Sequence, residues 1–149
     1  MPLVSFQRDD QLGEIVIDSP PLNLFGGELL ADLGAAVEEA AASDIRAVLV
    51  RAEGTDFSAG ADASVFIGLD EAEAGELQTM VLSLIAALED LTVPVLALIH
   101  GQCYAGALEV CLACDLIWPR RAARSDRSRR WPAGSHTAAG PSASRRESE

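Results

Sequence analysis

Two short apolar runs, each following a helix-like segment and each leading into a loop of small residues, restrict the possible folds most strongly. The runs are IRAVLVRA at 45–52 and VLALIHG at 95–101. Apolar residues at consecutive positions are typical of strands buried on both faces of a parallel sheet. Segments 27–43 and 76–91, which precede these runs, have apolar residues at helical spacing. This order of strand and helix patterns predicts repeated βαβ units with right-handed crossovers.

The remaining segments extend this α/β pattern at both ends. LVSFQRD and EIVID, within residues 3–18, predict a hairpin, and the two prolines of SPPLN then break the strand. AGALEVCLAC predicts a short apolar helix, and DLIW predicts the opening of a further strand. We expect residues 1–118 to form one folded core.

Composition limits the partners and the compartment of this core. Residues 1–118 contain 20 Asp and Glu against three Arg, and this acidity argues against nucleic-acid binding. No apolar run is long enough to cross a membrane, and the start does not resemble a signal peptide, so we expect a cytoplasmic protein without a membrane partner. Three Cys, an odd number confined to residues 103–114, do not form a secreted disulfide framework.

The loops after the two buried strands carry the candidate chemistry. They lie in VLVRAEGTDFSAGAD and VLALIHGQCYAGALE, and the carboxyl ends of parallel strands meet at one edge of a sheet. Small residues let backbone N–H groups approach a ligand, and two N–H groups converging on one oxygen would form an oxyanion hole. The alternative is that small residues merely let a helix pack on a strand.

Glu109 is the candidate acid–base residue, because the other residues of its helix are apolar or small. Such a carboxylate is expected either to be desolvated or to reach a pocket, which suits general acid–base chemistry near neutral pH. The alternative is an exposed position on the rim of the helix.

Other side chains allow weaker hypotheses. His100 and Cys103, with Cys111 and Cys114, supply four possible zinc ligands, although only seven residues separate the pairs. The CLAC pair is a weaker candidate for redox chemistry, since no thioredoxin-like strand pattern precedes it. Asp62 is expected either to cap the helix after the first loop or to contact substrate, and Asp115 is interpreted as structural.

FSAGAD, followed about 40 positions later by HGQCYAGALEVCLACD, resembles the crotonase superfamily, the enoyl-CoA hydratase/isomerase family, over residues 3–118. The resemblance implies an α/β fold, a crotonase-like ββα spiral with a largely parallel sheet, C-terminally truncated. It further implies that the N–H groups of Ala61 and Gly106 hold the thioester oxygen of an acyl-CoA and that Glu109 is catalytic. The loop Ser58, Ala59, Gly60, Ala61 and Asp62 would lie along the CoA. The CoA thioester is then the substrate, no metal or other cofactor is expected, and the intact family fold forms a homotrimer or hexamer.

Two positions depart from the family pattern. The usual three glycines are Ala105, Gly106 and Ala107, and the usual Asn before the first Gly is His100. The two alanines fit the loop only if neither position requires a positive φ.

A larger departure follows Trp118, where residues 119–149 contain eight Arg against three acidic residues. Family hydratases have a second glutamate in the slot that Arg129 occupies, and the rest of the family's fold is missing too. One interpretation is an Arg-rich arm that binds phosphates of nucleic acid. We favour a one-nucleotide change of reading frame near residues 118–123, because codons for ARSDRSRRWPA, read one base earlier, permit a family-like segment with glutamate at position 129.

The absence of Lys beside 11 Arg fits a GC-rich gene, whose shifted frames encode Arg, Ser, Pro, Gly and Ala. Such a tail should be disordered. Sequencing the source gene tests this, since an uninterrupted frame through codon 149 would contradict it.

These features together predict an enzyme that adds water to a 2-enoyl-CoA, with activity impaired in this chain. Double-bond isomerisation of an enoyl-CoA, which can use a single carboxylate, is the first alternative. An inactive CoA-thioester-binding fragment is the second.

Overall fold

The computed structural model describes residues 1–120 of the chain. Within these residues the chain forms five strands, three α-helices and one short 3₁₀ helix. In chain order they are β1 Val4–Asp9, β2 Leu12–Ile17, α1 Gly27–Ala42, β3 Ala47–Ala52, the 3₁₀ helix Ala63–Phe66, α2 Glu71–Glu89, β4 Val95–Ile99, α3 Gly106–Leu112 and β5 Leu116–Pro119.

The five strands form one sheet in the order β1-β2-β3-β4-β5. β1 and β2 pair antiparallel as a hairpin, whereas the β2–β3, β3–β4 and β4–β5 pairs are all parallel. The predicted hairpin and the predicted largely parallel sheet are both confirmed. Because β2, β3 and β4 run in one direction, the segments that follow them leave the sheet at the same edge.

One face of the sheet carries the core. α1 buries six residues on one stripe against it: Leu29, Leu30, Leu33, Ala36, Val37 and Ala40. Each buried Leu of this stripe contributes about 2 kcal/mol to stability. Burial alternates along β3 and β4, so their second face is half-buried, and the expectation of strands buried on both faces is met on one face only.

α2 begins at Glu71, five residues before the predicted start at residue 76. A capping box sets this start, because the Asp70 carboxylate accepts the Glu73 N–H while the Glu73 carboxylate accepts the Asp70 N–H. Only Leu84 and Leu88 of α2 are buried. The first turns of the helix therefore project beyond the core, above the edge where β2, β3 and β4 end.

β5 is the outermost strand next to β4, and all four of its residues are exposed. The Arg120 N–H donates to the Ile99 carbonyl at 2.7 Å, so the pairing with β4 continues past Pro119. The tail expected to be disordered spans residues 119–149. Its first two residues extend β5 and the pairing with β4, and its residues from 121 onward lie outside the described part of the chain. None of the helices described is long and apolar enough to span a membrane.

Candidate active site

Three segments meet at the edge where β2, β3 and β4 end. We call residues 19–25 after β2 the strap, residues 53–62 after β3 the first loop, and residues 100–105 after β4 the second loop. The two loops are joined by main-chain hydrogen bonds, from Phe57 N–H to the His100 carbonyl at 2.9 Å and from Ser58 N–H to the Gln102 carbonyl at 3.0 Å. Tyr104 N–H returns to the Ser58 carbonyl at 3.3 Å.

The strap is bonded to the other side of the first loop. Ala59 N–H donates to the Leu22 carbonyl at 3.0 Å, and Phe25 N–H donates to the Gly60 carbonyl at 2.9 Å. Asp62 N–H completes the set by donating to the Phe25 carbonyl at 3.1 Å. Ala61 therefore lies in a stretch of backbone that is held on both sides.

Ala61, Gly106 and Glu109 line one cavity of about 420 Å³. Within residues 1–120, neither the Ala61 N–H nor the Gly106 N–H donates to a protein acceptor. The next amide in each segment does have an acceptor. Asp62 N–H donates to the Phe25 carbonyl at 3.1 Å, and Ala107 N–H donates to the Tyr104 carbonyl at 3.2 Å. Buried or half-buried amides are rarely left without a partner, so two in one cavity form a potential anion-binding pair.

The remaining walls of this cavity are mostly apolar. α2 contributes much of the lining opposite the loops, and Gln78 is the polar side chain on that side. The lining residues besides the three above are Phe25, Leu30, Ala74, Leu77, Gln78, Val81 and Val110. A volume of this size with few polar groups is typical of a small-molecule site.

Glu109 reaches the cavity from the first turn of α3, but the residue is exposed. The carboxylate is open to water in the described part of the chain. Glu109 therefore lines the cavity and at the same time has an exposed position on the helix, so features of both alternatives are present.

Ala105, the residue before α3, has φ 47° and ψ −125°. It is the first central residue of the turn closed by Ala107 N–H and the Tyr104 carbonyl. This conformation favours glycine and strains an L-residue by about 1–2 kcal/mol. The condition that neither alanine needs a positive φ is therefore not met at Ala105, whereas Ala107 is helical and buried.

The five residues predicted along the CoA differ in accessibility. Ser58 is fully buried, and its hydroxyl donates to the Asn23 carbonyl at 2.6 Å and accepts Gly60 N–H at 2.9 Å. Gly60 is also buried, with φ 105°, and a Cβ there would lie 3.1 Å from the Tyr104 carbonyl oxygen. Ala59, Ala61 and Asp62 are partly exposed, so they are the residues of this loop that a ligand could touch.

Asp62 caps the 3₁₀ helix, since its carboxylate accepts Ser64 N–H at 2.9 Å and the Ser64 hydroxyl at 2.6 Å. These bonds lower the pKa of Asp62, and the bond from the Ser64 hydroxyl has the larger effect. Asp62 also lines a second cavity, of about 310 Å³, between the strap and the start of α1. The capping alternative is thus realised, and a ligand in the second cavity would still meet this side chain.

All four candidate zinc ligands make contacts with other groups of the protein. His100 Nε2 lies 3.0 Å from the Gly54 carbonyl oxygen, and the three thiols are buried. Cys103 Sγ and Cys111 Sγ are 3.8 Å apart, while Cys114 donates to the Val110 carbonyl at 3.6 Å. Across residues 1–120, no group of three or more His, Cys, Asp and Glu side chains is placed to hold a metal ion.

Two further polar side chains act within the fold. Asp115 accepts the Val95 N–H at 2.8 Å, which agrees with its structural interpretation. Asn23, in the strap, is 3% exposed and bonds to the first loop through its side-chain amide. The sequence pattern identifies the strap only as a break after β2. An Asn that closely follows two prolines is nevertheless typical of a turn that needs a positive φ.

The chain is similar to known proteins over most of its length. The family model described as enoyl-CoA hydratase/isomerase matches residues 7–128. The cyclohexa-1,5-dienecarbonyl-CoA hydratase of Thauera aromatica is 33% identical over 119 residues, which are 77% of this chain and 44% of that protein. The fatty acid oxidation complex subunit alpha of Shewanella amazonensis is 35% identical over 113 residues, 72% of this chain and 16% of that protein.

Among solved structures, the enoyl-CoA hydratase of Thermoplasma volcanium superposes with a TM-score of 0.76 at 30% identity. The match covers 80% of this chain and 48% of that one, so the chain spans less than half the length of each of these three relatives.

Proposed function

Because the chain belongs to the enoyl-CoA hydratase/isomerase family, we propose that it processes an acyl-CoA thioester by adding water to a 2-enoyl-CoA. One observation carries the proposal: Ala61 and Gly106, whose N–H groups have no protein acceptor within residues 1–120, line the same cavity as Glu109. The predicted trimer or hexamer and the cytoplasmic location stay predictions.

In the proposed reaction the thioester oxygen accepts both N–H groups. Glu109 takes a proton from water as the water oxygen bonds to C3 of the enoyl group. The C2=C3 electrons move toward the thioester, whose oxygen becomes an enolate that the two amides stabilise. The protonated Glu109 then gives its proton to C2, which forms the 3-hydroxyacyl-CoA and restores the carboxylate. Each such amide stabilises the transition state by about 3 kcal/mol.

Hydration is measured with crotonyl-CoA, by the loss of absorbance of the conjugated thioester. Glu109→Gln should lower kcat by about 10²–10⁴-fold and leave the Kd of butyryl-CoA within about threefold. Glu76→Gln is the matched control, because Glu76 is exposed on α2 and lies outside the cavity. Equal losses in the two variants, or unchanged kcat in Glu109→Gln, would contradict the role of Glu109.

The proposed impairment is tested with a version of the chain whose reading frame is restored from residue 119. The restored version should hydrate crotonyl-CoA at least about tenfold faster, because a second carboxylate would return to position 129. Equal rates would contradict the frame-change hypothesis. Binding of butyryl-CoA without turnover by either version would instead support a CoA-thioester-binding fragment.

Isomerisation is the second candidate, favoured by the single carboxylate that residues 1–120 present to the cavity. Glu109 would remove a proton from C2 of a 3-enoyl-CoA and return it to C4, moving the double bond to C2=C3. Formation of the conjugated absorbance from 3-hexenoyl-CoA distinguishes this reaction from hydration, which removes that absorbance.

A further inference from the structure

Asn23 fastens the strap to the first loop with its side chain. Its Nδ2 donates to the Glu53 carbonyl at 2.9 Å and also lies 3.2 Å from the Asp56 and Phe57 carbonyl oxygens. Two amide hydrogens are thus shared among three carbonyl groups. Its Oδ1 accepts Ser19 N–H at 2.8 Å, which fixes the orientation of the amide.

The main chain of Asn23 holds the later part of the same loop. Its carbonyl accepts the Ser58 hydroxyl at 2.6 Å, and the same hydroxyl oxygen accepts Gly60 N–H at 2.9 Å. Gly60 directly precedes Ala61, and its carbonyl accepts Phe25 N–H at 2.9 Å from the strap. A continuous set of bonds therefore runs from Asn23 to the peptide unit that carries the Ala61 N–H.

The backbone of Asn23 is suited to this position. Its φ is 49°, in the left-handed region, which Asn adopts more readily than other residues with a Cβ. The residue is 3% exposed and lines neither cavity, so it does not touch a ligand in either of them.

We propose that Asn23 is a positioning residue, which sets the direction of the Ala61 N–H through the first loop and the Ser58 hydroxyl. This inference rests on the proposed function, since it assumes that the Ala61 amide binds a thioester oxygen. It gives Ser58 a place in the site too, as the link to Gly60 rather than as a contact for CoA.

Two variants isolate the side-chain amide. Asn23→Asp keeps the shape and the acceptor for Ser19 N–H but removes both donated hydrogens. Asn23→Gly removes the side chain and tolerates the positive φ, so it carries the same test if the buried carboxylate unfolds the chain. Val37→Ala is the stability-matched control, because Val37 is buried on α1 and lies outside both cavities.

The first readout needs no ligand. Amide hydrogen exchange at Gly60 should be about tenfold faster in the Asn23 variants than in Val37→Ala at an equal distance below Tm, because the part of the first loop that leads into Ser58 has lost its side-chain bonds to the strap. Equal exchange in the Asn23 variants and in Val37→Ala would overturn the proposal.

The second readout is the infrared carbonyl stretch of butyryl-CoA labelled with ¹³C at the thioester. Binding to the unsubstituted chain should lower this frequency, and the Asn23 variants should lose at least about half of that shift with Kd within about threefold. A full shift in the Asn23 variants would overturn the positioning role. Butyryl-CoA bound to the unsubstituted chain without any shift would overturn the oxyanion hole itself, while the Gly60 exchange still decides whether Asn23 fixes the loop.

Discussion

Replacing Ala105 with glycine should stabilise the chain, although the substitution removes a methyl group. Ala105 has φ 47°, and release of this strain returns about 1–2 kcal/mol. The greater freedom of glycine in the unfolded chain opposes this by about 0.4–1 kcal/mol. The net expectation is a gain of about 0.5–1 kcal/mol in the free energy of unfolding, or about 2–4 °C in Tm.

The assay is urea unfolding followed by circular dichroism, with Ala35→Gly as the matched control. Ala35 is exposed within α1, where the same change should cost about 1 kcal/mol. One chemical substitution is thus expected to act with opposite signs at two positions. If Ala105→Gly destabilises the chain as much as Ala35→Gly does, the residue does not have a left-handed backbone and the strain argument is refuted.

Three further predictions concern other parts of the chain. Gly101→Ala should cost about 2–4 kcal/mol in urea unfolding, because φ is 57° and a Cβ would overlap Thr55 O and the Asp56 carboxylate; a loss below about 1 kcal/mol would contradict this. Burial raises the pKa of Cys114 to about 12, and the adjacent Asp115 adds a smaller effect in the same direction. At about pH 8 roughly one Cys114 side chain in 10⁴ is then a thiolate, so a thiol reagent should label this residue only after unfolding. Because the pKa of Asp62 is lowered in the fold, its contribution to stability is present above its unfolded-state pKa and lost as pH falls through the folded value. The Tm difference between the chain and Asp62→Asn should therefore shrink as pH falls below the unfolded-state pKa, and a constant difference would refute this.

The sheet could be predicted from the sequence because its strands are marked by local patterns. The hairpin alternates, and the runs at 45–52 and 95–101 are apolar between helical segments. The partial cover of the second sheet face could not be predicted, since it depends on what packs there. The early start of α2 was open to prediction, because Asp70 and Glu73 have the spacing of a capping box.

The site was only partly open to prediction. Small residues in the two loops indicate that backbone approaches a ligand, and the structure brings Ala61, Gly106 and Glu109 to one cavity. The exposure of Glu109 depends on neighbouring elements rather than on its own helix. The bonds of Asn23 to carbonyls 30, 33 and 34 residues away leave no periodic signal in the chain.

Three of the bonds that hold the two loops together use main-chain atoms only: one between Phe57 and His100, and one from Ser58 to each of Gln102 and Tyr104. The side chains of Gln102 and Tyr104 can therefore change without cutting these three bonds, whereas replacing His100 also removes its bond to the Gly54 carbonyl. A lineage that keeps the backbone path can vary Gln102 and Tyr104 while the two loops stay joined.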